Sequence, residues 1–234
     1  TTGTVSLDGA SNTTITLVDD IVITTSNDAV DLGGDAVDDV LDGAFSLAVL
    51  AGTGQVDLPV ITDITGLTTT SGDINIAQAI AVAGRVSMTA TNGTVDIAVD
   101  AKVTATGAAG DVVISHSGTG DVKINADVDA DRGIDITSGN AIKIGVGGVT
   151  VLTAQNDLTL AAADNIQLDT VASGLNSAGG HLILRGGTVD AADATLFSFL
   201  DLTIAGASAV EMKVSGLTSN GGIGISHADA ITIN

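Results

Sequence analysis

The sequence predicts an all-β fold: a right-handed parallel β-helix of about 20 residues per coil, with almost no helix. Three observations predict it. A Gly or Asx followed by two branched apolar residues around one polar residue recurs along the chain. Aromatic residues make up only 1%. Nearly all of the acid is Asp, Glu occurring once, at Glu211.

The beat reads Thr94-Val95-Asp96-Ile97, Asp111-Val112-Val113-Ile114, Asp121-Val122-Lys123-Ile124, Asp157-Leu158-Thr159-Leu160, Asn165-Ile166-Gln167-Leu168 and Gly222-Ile223-Gly224-Ile225. Alternation with period two puts both apolar side chains on one face of a short strand, and the Gly or Asx turns the chain into it. The first apolar positions fall at 74, 86, 95, 112, 122, 134, 142, 158, 166, 182, 202, 210, 223 and 231. Alternate beats return after 21 (74 to 95), 17 (95 to 112), 22 (112 to 134), 20 (182 to 202) and 21 residues (202 to 223). A coil of about 20 residues with two or three short strands fits these spacings, giving roughly 11 or 12 coils and a rod on the order of 55 Å long.

The whole chain, 1–234, reads as one continuous solenoid, with irregular stretches near 31–45, 170–181 and 186–201. The last contains Phe197 and Phe199, read as bulky fillers of a strand or, more pointedly, as a sticky loop for a partner. The chain opens within one beat (Gly3-Thr4-Val5-Ser6-Leu7) and stops within another (Ile231-Thr232-Ile233-Asn234), as a piece of a longer chain would.

Composition narrows the function. With no Trp, Tyr or Cys, the core must be built from Val, Ile, Leu and Ala, which suits a thin stacked interior and not an immunoglobulin-like sandwich. The net charge of −21 repels nucleic acid and anionic membranes. The longest apolar run, residues 44–51, is far short of the ~18 residues of a membrane helix. Asp disfavours helix interiors and suits turns and strand flanks.

One passage carries a family resemblance. From Val40 to Ile76, Val40-Leu41-Asp42-Gly43-Ala44-Phe45-Ser46-Leu47-Ala48-Val49-Leu50-Ala51-Gly52-Thr53-Gly54-Gln55-Val56-Asp57-Leu58, then Ile64-Thr65-Gly66-Leu67-Thr68 and Gly72-Asp73-Ile74-Asn75-Ile76, resembles the repeats of filamentous-haemagglutinin-like giant adhesins of bacterial surfaces. The resemblance is to a style of repeat. It implies a right-handed β-helix exported to the cell surface, serving as the stalk of an adhesin, and supplies no catalytic residues.

The search for chemistry yields one candidate. Asp127, Asp129 and Asp131 alternate as at the start of an EF-hand calcium loop, with Asp135 at the ninth position. Calcium takes several hard oxygen ligands, which clustered Asp supplies. Gly133 comes one place late, and Ser138 stands where the bidentate Glu belongs. The plainer reading puts Ala126, Val128 and Ala130 inside and the Asp residues in a solvated outer row. Ca²⁺ is therefore a possible ligand and no cofactor is required.

His116, His181 and His227 are far apart in sequence and no nucleophile motif accompanies them, so an enzyme is not expected. Sugar processing would need aromatic platforms and clustered basic residues, whereas Arg85, Arg132 and Arg185 are scattered. Thr89-Ala90-Thr91 and Thr104-Ala105-Thr106 hint at an ice-binding rank that does not continue.

The expectation is an extracellular stalk segment of a surface adhesin. The alternative is a self-assembling filament, sheath or surface-layer component, and a β-helix carbohydrate-active enzyme is a distant third. Its partners would be flanking coils of the same chain or end-to-end copies, with an unknown surface ligand and neither nucleic acid nor membrane insertion.

Overall fold

Every beat in the sequence becomes a rung of a β-solenoid. The computed structural model describes residues 4–6, 14–33, 39–146, 148–168, 174–192, 194–213, 216–227 and 230–233. Among them there is no helix, and every strand pairing is parallel, each strand bonding to its counterparts one coil before and after.

The strands fall into three faces, traversed in the same order in each coil. Face I carries the inward column Ile61, Ile80, Val103, Val128, Leu152 and Leu175. Face II carries Leu67, Val86, Val112, Ile134, Leu158 and Leu182. Face III carries Ile74, Val95, Val122, Ile142, Ile166 and Val189. These side chains are 0 to 1% exposed. Four long strands (Val60–Ser71, Ile80–Ala90, Leu182–Ala192 and Leu202–Lys213) run around a corner from one face onto the next.

The solenoid has about 9 turns of about 22 residues, longer and fewer coils than the spacing predicts. The reason is that successive beats of the sequence lie on different faces. Val95 returns at Val122, 27 residues later, and Val86 at Val112, 26 later. The step from 95 to 112 joins face III to face II and is not a turn at all. All fourteen beats counted in the sequence lie on faces II and III.

Face I escapes a search for paired branched residues because its second inward position is small. Val82 is followed coil by coil by Ala105, Ala130, Ala154, Ser177, Ser198 and Ser219. The serines replace packing volume with hydrogen bonds. Ser177 Oγ donates to the Asn156 carbonyl at 2.6 Å, and Ser198 Oγ to those of Asp201 at 2.8 Å and Gly180 at 3.1 Å. Buried hydroxyls without such partners would be costly.

The irregular stretches are more regular than expected. Val40–Asp42, Gly174–Ser177, Leu182–Ala192 and Thr195–Ser198 are strands in register with their neighbours. Residues 34–38, 170–173 and 193 lie outside the described residues. Phe197 and Phe199 are not core fillers: Leu196 is the inward residue, Phe197 faces out half-buried, and Phe199 is 46% exposed.

Packing at these columns sets stability. Truncating Ile136, fully buried on face II between Ile114 and Leu160, leaves a cavity in close-packed aliphatic layers. Ile136→Ala is expected to cost about 2–5 kcal/mol by chemical denaturation. Thr137→Ala, on the outward side of the same strand, should stay within about 0.5 kcal/mol.

Candidate functional site

The acidic residues gather at the corners, where a chain that turns between faces cannot keep its inter-coil ladder complete. Corner N–H groups then need acceptors. Carboxylates supply them from the coil next door. Asp73 Oδ1 accepts from Thr94 N at 2.6 Å, Asp111 Oδ1 from Gly133 N at 3.0 Å, Asp157 Oδ1 from His181 N at 2.8 Å and Asp201 Oδ1 from Gly222 N at 2.8 Å. Asp20 Oδ1 accepts from both the backbone N and the Oγ of Ser46, and these hydrogen bonds hold its carboxyl below its ordinary value. A short side chain with two acceptor atoms suits this span, which gives the excess of Asp over Glu a structural cause.

The four carboxylates of the calcium-like motif are divided among such tasks. Asp127 Oδ1 accepts from Val151 N, one coil on, at 2.8 Å. Asp131 Oδ2 accepts from Gly107 N, one coil back, at 2.7 Å. Asp129 forms a 2.6 Å ion pair with Lys102, whose ammonium is raised above its ordinary value chiefly by that hydrogen bond. Asp135 lies past the turn, exposed on face II. Ala126, Val128 and Ala130 do face inward. Among the described residues, no three His, Asp or Glu side chains converge as a metal site.

The histidines are equally separate. His116 is buried on face II, its Nδ1 3.4 Å from Ser138 Oγ and its Nε2 without a partner. His181 lies at a corner, with Nδ1 3.6 Å from Asp201. The side chain of His227 lies outside the described residues. The two Thr-x-Thr segments do not form one rank: Thr89 faces out from face II and Thr104 from face I.

Face III is the charged face. Its outward column runs Asp31, Asp57, Asn75, Asp96, Lys123, Lys143, Gln167 and Asp190. Lys143 bonds to Asp121. Burial pushes the Asp121 carboxyl up, but the hydrogen bond and charge of Lys143 outweigh it and hold the group below its ordinary value. Open grooves also mark the surface. One of about 520 Å³ includes Arg185 with Ala161, Ala162, Gly186, Ala205 and Gly206. Another, of about 230 Å³, lies around Asp135 with Asp111, Val113, Asp157 and Thr159.

No family model, curated protein or solved structure matches the chain. The functional reading therefore rests on geometry and on the residues themselves.

Two measurements check the roles given to the carboxylates. Asp127→Ala removes a backbone acceptor and should cost about 1 kcal/mol. Asp127→Asn keeps an oxygen there and should cost clearly less, and Asp135→Ala should be near-silent; equal losses for Ala and Asn at 127 would mean that charge matters and the cap does not. Asp121 should show acid linkage. Its lowered carboxyl favours the folded state at neutral pH, and that contribution is lost as pH falls below the ordinary value of 3.8 through the lowered one. Lys143→Met should therefore be less stable than the parent at pH 7, with the gap narrowing as pH falls below the ordinary carboxyl value of 3.8.

Proposed function

We propose that this chain is a shaft segment of an extracellular bacterial surface adhesin of the filamentous-haemagglutinin type. The observation that carries the reading is the parallel stacking of all three faces, coil upon coil, with register shifts confined to a few positions near Val82 and Gly186, which makes length the quantity this architecture delivers. Nine inter-coil steps at ~4.8 Å give a rod section of about 43 Å. Hydrogen bonds run along the rod axis, so a pulling load is shared across three strands per coil.

The residues behind the resemblance also serve the shaft. Gly43, at φ +128°, and Gly52, at φ +60°, turn the chain at corners, where a Cβ would approach Leu17 O to 2.5 Å and Asn27 Oδ1 to 2.4 Å. The Asp-Gly-Ala-Phe and Ala-Gly-Thr-Gly segments thus combine a tight corner with the start or end of a buried strand.

A second reading, end-to-end assembly, draws on the terminal coils. Ile21, Ile23 and Ile225 are only partly buried, and Ile223 is 48% exposed. A further coil would cover them, whether it came from the same polypeptide or from another copy.

Deleting one whole coil, residues 134–157, brings Val112 directly against Leu158 in the same register. As a shaft segment, the shortened protein should fold, lose ~5 Å in maximum dimension by small-angle scattering, and leave attachment by the parent adhesin intact. Immunogold labelling of intact producing cells should decorate surface filaments. Loss of attachment on deletion, or label found only inside permeabilised cells, would overturn the proposal.

A further inference from the structure

We infer that face II is a lateral docking surface for a second copy of this chain, packed with its solenoid axis antiparallel and locked by reciprocal Arg185–Asp135 pairs. The inference needs only the solenoid geometry and goes beyond the shaft reading.

The first observation is charge segregation. Among the described residues face II has ten rungs, and in the two outward ranks that follow the first inward residue Asp135 and Arg185 are the sole charged groups, with Arg85 exposed at the edge of its rung. The rest of those ranks are Thr, Ser, Ala and Gly with Val22, Leu50, Val113 and Ile183; Val113 and Ile183 lie within two rungs of Thr159, whereas Val22 and Leu50 are on the first two rungs, away from it. Depletion of charge is what distinguishes the centre of a protein interface from ordinary surface. In a chain of net charge −21, a face so nearly free of carboxylates is the one on which two copies meet with least repulsion.

The second observation says how they meet. Asp135 and Arg185 are both exposed, opposite in sign, and make no ion pair with a described residue of their own chain. Arg185 belongs to a groove whose other lining residues are uncharged, while Asp135 lies in a notch that it shares with Asp111 and Asp157. An unpaired guanidinium and an acidic notch on one face are complementary, but only between molecules.

The two residues are two rungs apart, either side of the Thr159 rung. A two-fold axis along that rung's strand direction sets each copy's Asp135 rung against the other copy's Arg185 rung. One i to i+2 step, ~7 Å, then separates the pair across the face, within the reach of an arginine side chain. The contact is isologous and closes as a dimer.

Size sets the expected strength. Pairing about the Thr159 rung overlaps seven rungs, about 34 Å by about 17 Å, or roughly 570 Å² per copy. That just exceeds the ~1,000 Å² total of a specific interface, so the dimer should be weak and reversible. The flanking corner carries Asp111, Asp157 and Asp201, which repel across the rim.

Sedimentation velocity from about 1 µM to about 1 mM, with small-angle scattering for shape, tests the inference. The parent should form a dimer that is thicker than the monomer and not twice as long. Arg185→Glu and Asp135→Arg should each weaken it by about tenfold or more, and the double swap should restore it to within about threefold. Unchanged melting temperatures would show that the exposed substitutions leave the fold intact. A parent that stays monomeric throughout, a double swap that fails to rescue, or a dimer of doubled length, which means end-on stacking, would each overturn it.

Discussion

One constraint governs the molecule: each coil must present the next with aliphatic side chains at the same heights and backbone groups in the same register. The axial hydrogen bonds of the three faces and the dry columns of Val, Ile and Leu are two aspects of this constraint, because a register slip of one residue would turn every inward side chain outward. The core is therefore not a three-dimensional jigsaw. It is three one-dimensional stacks, and that is why a chain with only three Phe and no Trp or Tyr can still bury its interior.

The corners are where that constraint is hardest to meet, and they explain the unusual chemistry of the sequence. A chain that turns between faces leaves N–H groups without strand partners, and Asp from an adjacent coil accepts from them at 2.6 to 3.0 Å. Glycine appears at the same corners where the backbone takes positive φ or lies against the coil below. Part of the acidity that looks like a surface property is an internal bonding scheme, in which carboxylates at the corners accept from the neighbouring coil. Keeping this charge at corners and on face III leaves face II neutral, so the device that closes the corners also makes one side of the rod different from the others.

How much of this could be read from the sequence depends on what each residue answers to. The strand beats were legible because inward and outward positions alternate locally, as in Asp121-Val122-Lys123-Ile124. Face I was not, because Val103-Thr104-Ala105 and Leu196-Phe197-Ser198 put small residues where branched ones were sought. The alternating Asp127, Asp129 and Asp131 were legible as a pattern, and their inward partners were read correctly. What each carboxylate touches was not legible, since Val151, Lys102 and Gly107 lie 20 residues or more away along the chain.

The sequence by itself determined the class of fold, the absence of an aromatic core and the strand polarity, because these depend on composition and on alternation over four or five residues. Only the tertiary structure decided the turn length, the third face, the tasks of the individual aspartates and the placing of Asp135 and Arg185 on a common neutral face. Those depend on which residues meet one coil apart, and corner loops of unequal length, with returns from 18 residues (Val56 to Ile74) to 27 (Val95 to Val122), hide that meeting from any fixed period.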